Sequence, residues 1–570
     1  MPSREQIGDT LRTIRAYGFE PTGLAKGVRT FTGVLDCKGG GIKVSLALSD
    51  WNFHRYPEIR VLETPADLPD LLPHLDRLGC LCYFSPGSVV LDRYDPATSV
   101  AQCIVQATKV VGDIRSDPAY RTGDVQDEFA NHWLAAGDGD TVRVLLGTVD
   151  ATRPRSNYFV FKADEGEIIV VADDHAEAQK LAMAMTGKPA ISVPMPCWIF
   201  TTDVPPYVPA SMPLTVGELF AWMKAWDNKL FTAMQRVLEK EVDYLRFASA
   251  HFVIRCRDTW LGFCFELNQH TRLCSIKRPA LYKQYLHKTG AKTPITRLEL
   301  VELGPQFVHS RNLIYPDLSG RRIVIIGCGA IGSFLAESAA RLGAGAGDGE
   351  LKVIDGDTLR PENLGRHLLG YRSLFRNKAT ELAGEIKSKF PLAEVVPVAE
   401  DVTESLSFGR AHLVVDATGE ESVSEMLNAM RLARGKNAPP ILHVRIRGNG
   451  ECVQTFWAEG IDHACLRCLI STDAGEHRKE RFEVLNAQPI RRRRGCTGFT
   501  PYSVAAPMAA AALAIEVIVD WLQRKSPHPR FRTRAIANAD VRKVKDKTVD
   551  RNPKCPACGR DHDSRQPVLA

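Results

Sequence analysis

The sequence predicts an α/β protein whose C-terminal half contains a Rossmann-like domain. The short β-branched run Ile323–Ile326 is typical of a buried parallel strand. The sequence GCGAIG follows at once over Gly327–Gly332, and Ser333–Leu342 has the residue spacing of a helix. Glycines at these three places allow a tight turn, a close approach of backbone to phosphate and a close helix–strand contact. The pattern therefore indicates an anion site at the start of the helix.

Polar and charged residues after the next two predicted strands narrow the kind of anion. Leu351–Ile354 ends in Asp355 and Asp357, whose carboxylates can accept hydrogen bonds from ribose hydroxyls. His412–Val415 leads into Asp416, which is well placed to hold Mg²⁺. Three side chains suited to phosphate lie between these strands: Asn363, Arg366 and Lys378. A triphosphate calls for such a set, because charge builds on the phosphoryl oxygens as pyrophosphate leaves.

This set of residues resembles the adenylation domain of the ThiF/MoeB and ubiquitin-activating family, over roughly residues 305–570. The resemblance implies that ATP·Mg²⁺ is bound, with Arg366 and Lys378 acting on the phosphates, and that two chains form a homodimer through this domain. It also implies that Arg311 reaches the ATP of the partner subunit, although a solvated loop arginine is an equal alternative. The implied ATP·Mg²⁺ residues are Gly327, Gly329, Gly332, Asp355, Asn363, Arg366, Lys378 and Asp416.

Composition excludes few classes of protein. The chain has 570 residues, a net charge of +6, 44% hydrophobic and 25% charged residues, which is ordinary for several globular domains. The sequence has no Lys/Arg-rich tail of the kind that binds nucleic acid, so we expect no nucleic-acid partner. The N-terminus lacks an apolar signal core, and the Ala-rich run Val504–Val519 is too short and interrupted to span a bilayer. We therefore expect a cytoplasmic protein without a membrane partner, in which the 15 cysteines are thiols or metal ligands.

The N-terminal third predicts an α+β domain. A helix over roughly Arg4–Tyr17 precedes strand-like runs at Arg29–Cys37, Ile42–Leu48 and Glu58–Glu63, and a second helical run begins at Ala97. The glycines between the first two strands predict a hairpin.

The order of these elements, with Tyr-Pro, a histidine loop and Gly-x-x-Cys between them, resembles the ubiquitin-conjugating fold over residues 1–150. The resemblance selects Cys82 as the active cysteine, with Cys80 as a nearby competitor. The usual His-Pro-Asn reads Pro-His-Leu at His74, so the asparagine that steadies the oxyanion is not visible. Two ordinary buried cysteines are the alternative.

Residues 151–300 predict an α+β linker domain of unknown fold. Strand-like runs occupy Thr141–Ala172, and Phe252–Arg255 with Leu261–Leu267 form a hairpin candidate. Pro194–Pro213 is typical of a connector. Thr215–Val242 has the pattern of one long amphipathic helix.

Two C-x-x-C pairs predict a structural zinc site. Cys465 with Cys468 and Cys555 with Cys558 supply four thiolates, which satisfy a closed tetrahedral ion and leave no ligand position open for catalysis. The metal would attach the C-terminal tail to the domain. A redox C-x-x-C is the alternative, but it does not explain two pairs.

A charged run, Glu476–Arg494, lies between the pairs and has the character of a surface loop. It ends in four arginines beside Cys496-Thr497. In ubiquitin-activating relatives a loop at this place carries the thioester cysteine, and Cys496 fits that role. Neighbouring arginines favour a thiolate. Solvated charge is the plain alternative, and a nucleic-acid patch is a weaker one because interleaved aromatics are missing.

Together these features predict an enzyme that adenylates the C-terminal carboxylate of a protein. The acyl group would pass to Cys496, then to Cys82 and finally to a target amine. A conjugating-type domain, a linker and a ThiF-like domain in this order resemble the bacterial ligases of CBASS anti-phage operons, which attach a cGAS-like nucleotidyltransferase to other molecules. A bacterial ubiquitin-like protein is an alternative substrate. A sulfur-carrier adenylyltransferase and a non-catalytic scaffold or NAD sensor are alternative functions.

Overall fold

The computed structural model describes residues 3–559, apart from residues 67, 77, 137–140, 165, 189–191, 404–407, 472–477, 495–496 and 538. The chain divides into two compact units. The first contains residues 1–160, 167–173 and 192–301, and the second contains residues 161–166, 174–191 and 302–570.

The first unit begins with a four-stranded antiparallel sheet in the order β1-β2-β3-β4, together with four helices. The bounds are α1 Arg4–Ala16, β1 Glu20–Ala25, β2 Val28–Leu35, β3 Ile42–Leu48, β4 Glu58–Val61, α2 Pro96–Ser116, α3 Pro118–Asp127 and α4 Phe129–Ala135. Alternate residues of β3 are buried, as expected for a sheet with one face in a core. That core contains Ile14 of α1, Leu46 of β3 and Ile104 of α2.

The region predicted as a linker forms a closed seven-stranded barrel in the order β10-β11-β5-β7-β6-β8-β9. The bounds are β5 Val142–Leu146, β6 Arg155–Ala163, β7 Gly166–Ala172, α5 His175–Thr186, β8 Met195–Thr202, α6 Val216–Trp226, α7 Asn228–Lys240, β9 Ser249–Cys256, β10 Thr259–Glu266, α8 Gln269–Ser275, α9 Pro279–Leu286 and β11 Thr296–Glu302. Alternate residues of β8 enter two clusters: Cys197 and Ile199 one, Trp198 and Phe200 the other.

Two expectations for this region are wrong. The supposed connector contains the barrel strand β8, which is buried over most of its length despite Pro196. The supposed long helix is two helices, because the side chain of Asp227 accepts a hydrogen bond from the backbone N–H of Lys229 at 2.8 Å and starts α7 there. The hairpin candidate is confirmed, as β9 and β10 pair in antiparallel orientation.

The second unit contains a seven-stranded sheet in the order β14-β13-β12-β15-β16-β17-β20, whose first five strands are parallel. The bounds are α10 Pro305–Ser310, β12 Arg322–Ile326, α11 Ala330–Arg341, β13 Glu350–Ile354, α12 Lys378–Lys389, β14 Val395–Val398, β15 Leu413–Asp416, α13 Glu421–Arg434, β16 Ile441–Arg447, β17 Cys452–Ala458, β18 Arg492–Arg494, β19 Thr497–Phe499, α14 Ala505–Arg524 and β20 Phe531–Ala535. This is the Rossmann-like domain that the sequence predicts.

Helix α14 is long and apolar enough to cross a membrane by length and composition alone. Its residues Ala510, Leu513, Ala514 and Val517 are buried in the core cluster that also contains strands β12 and β13. The helix is therefore a core element of the second unit, but the expectation that it is too short to span a bilayer is wrong, because it continues to Arg524.

Candidate functional site

A glycine suits each of the three positions after β12 for a different structural reason. Gly327 has φ +88°, and a Cβ there would lie 2.8 Å from Cα of Thr418. A Cβ at Gly332 would lie 1.8 Å from the carbonyl oxygen of Gly327, so helix and strand approach too closely for any side chain. A Cβ at Gly329 would have open space around it. Gly329 is the N-cap of α11 and has no side-chain cap, so the helix start suits a phosphate.

Asp355 lies beside this loop. Its carboxylate accepts hydrogen bonds from the backbone N–H of Cys328 at 2.7 Å and of Asp357 at 2.8 Å. Burial raises the pKa of Asp355, against the opposing effects of these N–H groups and of Lys378. The carboxylate thus links the ends of β12 and β13 at the place where a ribose would lie if phosphate occupied the glycine loop.

Lys378 is the buried first residue of α12. Its Nζ lies 2.8 Å from the Asp357 carboxylate, whose side chain is 76% exposed. A buried ammonium needs an anionic partner, and an exposed carboxylate can be replaced by a phosphate. Lys378 and Asp357, which were predicted separately for phosphate and ribose, are therefore brought together in a form that suits a phosphate ligand.

Asn363 and Arg366 lie in a short 3-10 helix, Pro361–Arg366. Asn363 accepts a hydrogen bond from the backbone N–H of Arg360 at 2.9 Å, so its side chain oxygen caps this turn. The Arg366 guanidinium lies 4.6 Å from the ring centroid of Tyr502. Tyr502 was not predicted, and no local pattern in the sequence indicates this contact.

Asp416, the predicted magnesium ligand, is buried at the end of β15. Its carboxylate accepts hydrogen bonds from Thr418 and Ser424, and it lies 2.8 Å from His443 Nδ1. Burial alone would raise the pKa of Asp416, but these partners, led by His443, bring it below its usual value. A cation bound here would share an oxygen with these donors. His443 comes from the next strand, β16, and was not predicted.

Arg311 is exposed, and its guanidinium lies 5.4 Å from the ring centroid of Phe307. An exposed arginine after α10 is accessible to another molecule. The structure contains a single chain, so a role toward a partner subunit stays a prediction.

The two C-x-x-C pairs come together as one buried cluster in which all four sulfur atoms lie within 4.8 Å of one another. The distances are 3.9 Å for Cys465–Cys468, 3.8 Å for Cys465–Cys555 and 3.5 Å for Cys468–Cys558. Tetrahedral Zn–S bonds of about 2.3 Å place sulfurs about 3.8 Å apart. The predicted residues therefore fit zinc.

The predicted thioester residue Cys496 lies outside the described residues, but the chain on both sides is described. Strands β18 and β19 pair in antiparallel orientation, so the arginine run ends in a strand and the expected surface loop is shorter than predicted. Arg491 to Arg493 are exposed. Asn449 joins the ends of this segment, since its Nδ2 donates to the carbonyls of Ile490 and Pro501 and its Oδ1 accepts from the N–H of Ile490.

Cys82 is exposed in the first unit, whereas Cys80 is half buried and donates to Glu58 at 3.0 Å. Burial and the Glu58 carboxylate raise the pKa of Cys80 to about 11. The backbone N–H of Cys82 donates to the carbonyl of His74 at 2.8 Å. Partial burial and the charge of Glu128 raise the pKa of Cys82, although the residue as a whole is exposed. Of the two thiols, Cys82 is the accessible one.

His74 has φ +59° and is enclosed by acidic groups. Its Nδ1 lies 2.7 Å from Glu128, and its Nε2 lies 2.9 Å from Asp124 and 3.1 Å from the hydroxyl of Tyr120. These carboxylates, Glu128 first, raise the pKa of His74. No local pattern indicated Glu128 and Asp124, which lie 54 and 50 residues from His74.

Comparisons with known sequences agree with this geometry. Residues 306–557 match the ThiF family, and residues 25–141 match prokaryotic E2 family B. The chain is similar to the ATP-dependent ubiquitin transferase-like protein Cap2 of Pseudomonas aeruginosa, with 29% identity over 98% of this chain and 100% of the relative. It is 30% identical to the Cap2 protein of Vibrio cholerae, over 86% of this chain and 87% of the relative. It also resembles the molybdopterin-synthase adenylyltransferase of Salmonella typhimurium, with 30% identity over 27% of this chain and 59% of the relative.

Proposed function

Because the chain belongs to the family of Cap2 ATP-dependent ubiquitin transferase-like proteins, we propose that it joins the C-terminal carboxylate of a protein to an amine by way of two thioesters. Adenylation and ubiquitin-like conjugation are the activities of the enzyme. The order of the thiols, the substrate and the roles of individual residues are the proposal. It uses the glycine loop of the second unit and the accessible Cys82 of the first.

In the first step the substrate carboxylate attacks the α-phosphorus of ATP and pyrophosphate leaves. The open space at Gly329 and the uncapped start of α11 receive phosphate. Lys378 leaves Asp357 to neutralise the charge that builds on the phosphoryl oxygens, and Arg366 assists it. Asp355 accepts from the ribose. Mg²⁺, held by Asp416, would supply further charge neutralisation.

The next steps move the acyl group between sulfur atoms. The thiolate of Cys496 attacks the acyl-adenylate and releases AMP, and the neighbouring arginines favour that thiolate. The Cys82 thiol then takes the acyl group by thioester exchange. An amine of the target attacks the Cys82 thioester to give an amide. A thioester keeps enough reactivity for this attack, whereas the starting carboxylate does not.

For the biological setting we propose CBASS anti-phage defence in the cytoplasm, with a cGAS-like nucleotidyltransferase as the conjugated protein. We propose a homodimer formed through the second unit, in which Arg311 reaches the nucleotide of the partner. The domain limits we propose are 1–150 for the conjugating-type domain, 151–300 for the linker domain and 301–570 for the adenylating domain with its structural zinc.

The single observation that carries the proposal is the joint presence of the phosphate-ready Lys378–Asp357 pair and an accessible Cys82 in one chain. The test is intact-mass analysis after incubation with ATP and a candidate substrate protein. We expect an adduct on Cys496 and on Cys82. Cys82→Ala should retain ATP–pyrophosphate exchange and lose the amide product, with Cys274→Ala as a control at another exposed thiol. Amide formation by Cys82→Ala would disprove the assignment of Cys82.

A further inference from the structure

The carboxylate of Glu128 is linked to the backbone of Cys82 through His74. It begins from the N-cap position of α4, in the same unit as Cys82. One oxygen lies 2.7 Å from His74 Nδ1, and the other accepts from the backbone N–H of His74 at 3.0 Å. The carbonyl of the same residue accepts from the N–H of Cys82 at 2.8 Å. A single residue, His74, therefore holds both the nucleophile and the carboxylate.

His74 itself is a poor candidate for a proton acceptor. Both of its ring nitrogens face acidic groups, Glu128 on one side and Asp124 on the other. An imidazole that donates from both nitrogens is an imidazolium and has no lone pair to offer. Its positive charge keeps Glu128 ionised. Glu128 retains 32% of its side-chain exposure, so an incoming group can still reach it.

We propose that Glu128 accepts the proton of the amine that attacks the Cys82 thioester and passes it to the departing sulfur, with His74 as a positioning residue. This inference rests on the proposed function of Cys82. It assigns a group for the aminolysis step in a site where the usual asparagine is not visible.

The step balances without a further reactant. The amine nitrogen forms a bond to the carbonyl carbon, the C–S bond breaks, and its electron pair leaves on Sγ of Cys82. One amine proton goes to Glu128 and then to Sγ, so the thiol and the carboxylate are both regenerated. Burial and the negative charge of Glu128 raise the pKa of Cys82, so the departing thiolate is more basic and accepts the proton more readily.

The groups around Glu128 fit this role. Nε2 of His132 lies 3.9 Å from Glu128, and burial lowers the pKa of His132, which favours its neutral form. Asp124 and Tyr120 lie on the far side of His74 and hold its ring. The negative charge of Glu128 also raises the pKa of the Cys82 thiol.

The test is single-turnover discharge of the Cys82 thioester to two nucleophiles, lysine and hydroxylamine. Lysine must lose a proton from a weakly acidic ammonium, so it depends on a base, whereas hydroxylamine gives a more acidic adduct and does not. We expect Glu128→Gln to slow discharge to lysine about 10- to 100-fold and to slow hydroxylamine much less. Glu63→Gln, which removes an exposed carboxylate 3.6 Å from Lys43, is the matched control and should behave as the wild type.

His74→Gln should also slow discharge to lysine more than discharge to hydroxylamine, but by a smaller factor than Glu128→Gln. The carboxylate of Glu128 remains in this variant, but the imidazole no longer holds it in place. Discharge to lysine at the wild-type rate in Glu128→Gln would overturn the inference and leave the proposed function intact. Equal loss with both nucleophiles would overturn it as well, since that pattern reports a damaged domain. Absence of any thioester on wild-type Cys82 would overturn the proposed function and the inference together.

Discussion

The guanidinium of Arg366 lies over the ring of Tyr502, 4.6 Å from its centroid. Arg366 is proposed to contact ATP, and Tyr502 directly follows the segment 490–501, whose ends Asn449 joins and which contains Cys496. One cation–π contact thus connects Arg366, the residue proposed to contact ATP, with the end of the segment 490–501 that contains Cys496.

The first prediction concerns this contact. Tyr502→Leu should raise the dissociation constant of a non-hydrolysable ATP analogue about 3- to 30-fold, because Arg366 loses the ring that orients it and such contacts contribute about 0.5–2 kcal/mol. Tyr502→Phe keeps the ring and should bind the analogue as the wild type does. Isothermal titration calorimetry measures both. Equal losses in the two variants would assign the effect to the hydroxyl instead.

The second prediction concerns Lys378. Lys378→Met keeps the length of the side chain and removes its charge, so ATP–pyrophosphate exchange should fall about 100-fold or more. Lys389 is at the other end of the same helix, where it pairs with Glu337 at 3.2 Å and Glu385 at 2.9 Å. Lys389→Met is therefore the control, and its exchange rate should be unchanged. Full exchange activity in Lys378→Met would favour the scaffold or sensor alternative.

Local signals predicted much of the second unit. The strand, glycine loop and helix of residues 322–341 follow from β-branching, glycine spacing and helical periodicity, which act over a few residues. The four cysteines were found by spacing alone, since C-x-x-C is itself a local pattern. Asp355 was found because it directly follows a predictable strand, and Lys378 because it completes a set of phosphate-suited side chains that resembles the adenylation family.

Partnerships across the fold were not predictable. Asp416 and His443 are 27 residues apart and meet because β15 and β16 are parallel neighbours. His74 and Glu128 meet across 54 residues. The barrel was missed for the same reason, since its closure depends on pairings such as β10 with β11 that no single segment encodes. The break at Asp227 was missed because the apolar periodicity continues through it, although an aspartate cap is a local signal.

The third prediction concerns the metal. The protein should contain one zinc ion per chain, and Cys558→Ser should lose it and lower the melting temperature by at least about 5 °C, because metal binding stabilises only the folded state. Cys274→Ser changes an exposed cysteine outside the cluster and should retain zinc. Elemental analysis and thermal unfolding provide the two measurements. Normal zinc content in Cys558→Ser would exclude the four-cysteine site.

The fourth prediction concerns pH. The carboxylates raise the pKa of His74 above its ordinary 6.5, so its contribution to stability is complete below pH 6.5 and is lost as the pH rises through the folded-state pKa. The hydrogen bond with His74 lowers the pKa of Glu128 below its ordinary 4.5. The contribution of Glu128 to stability is therefore complete above pH 4.5 and is lost as the pH falls through its folded-state pKa. The pair therefore stabilises most between these two values.

Urea unfolding of the wild type and of His74→Gln at about pH 5.5 and about pH 9 measures this effect. The free energy of unfolding of the wild type should exceed that of His74→Gln by more at about pH 5.5 than at about pH 9. His54→Gln changes a histidine whose side chain is 75% exposed and serves as the control. The same advantage at both pH values would show that the ring stabilises by packing rather than by charge.

The four-cysteine cluster has a consequence for damage to the chain. It brings Cys465 to Cys555 and Cys468 to Cys558, each across 90 residues, so a bound metal would join the two ends of the chain between the pairs. A protease that nicks the exposed bonds at Arg491 to Arg493 would produce two fragments, yet they would travel together on a sizing column, held by the metal and by the pairing of β17 with β20.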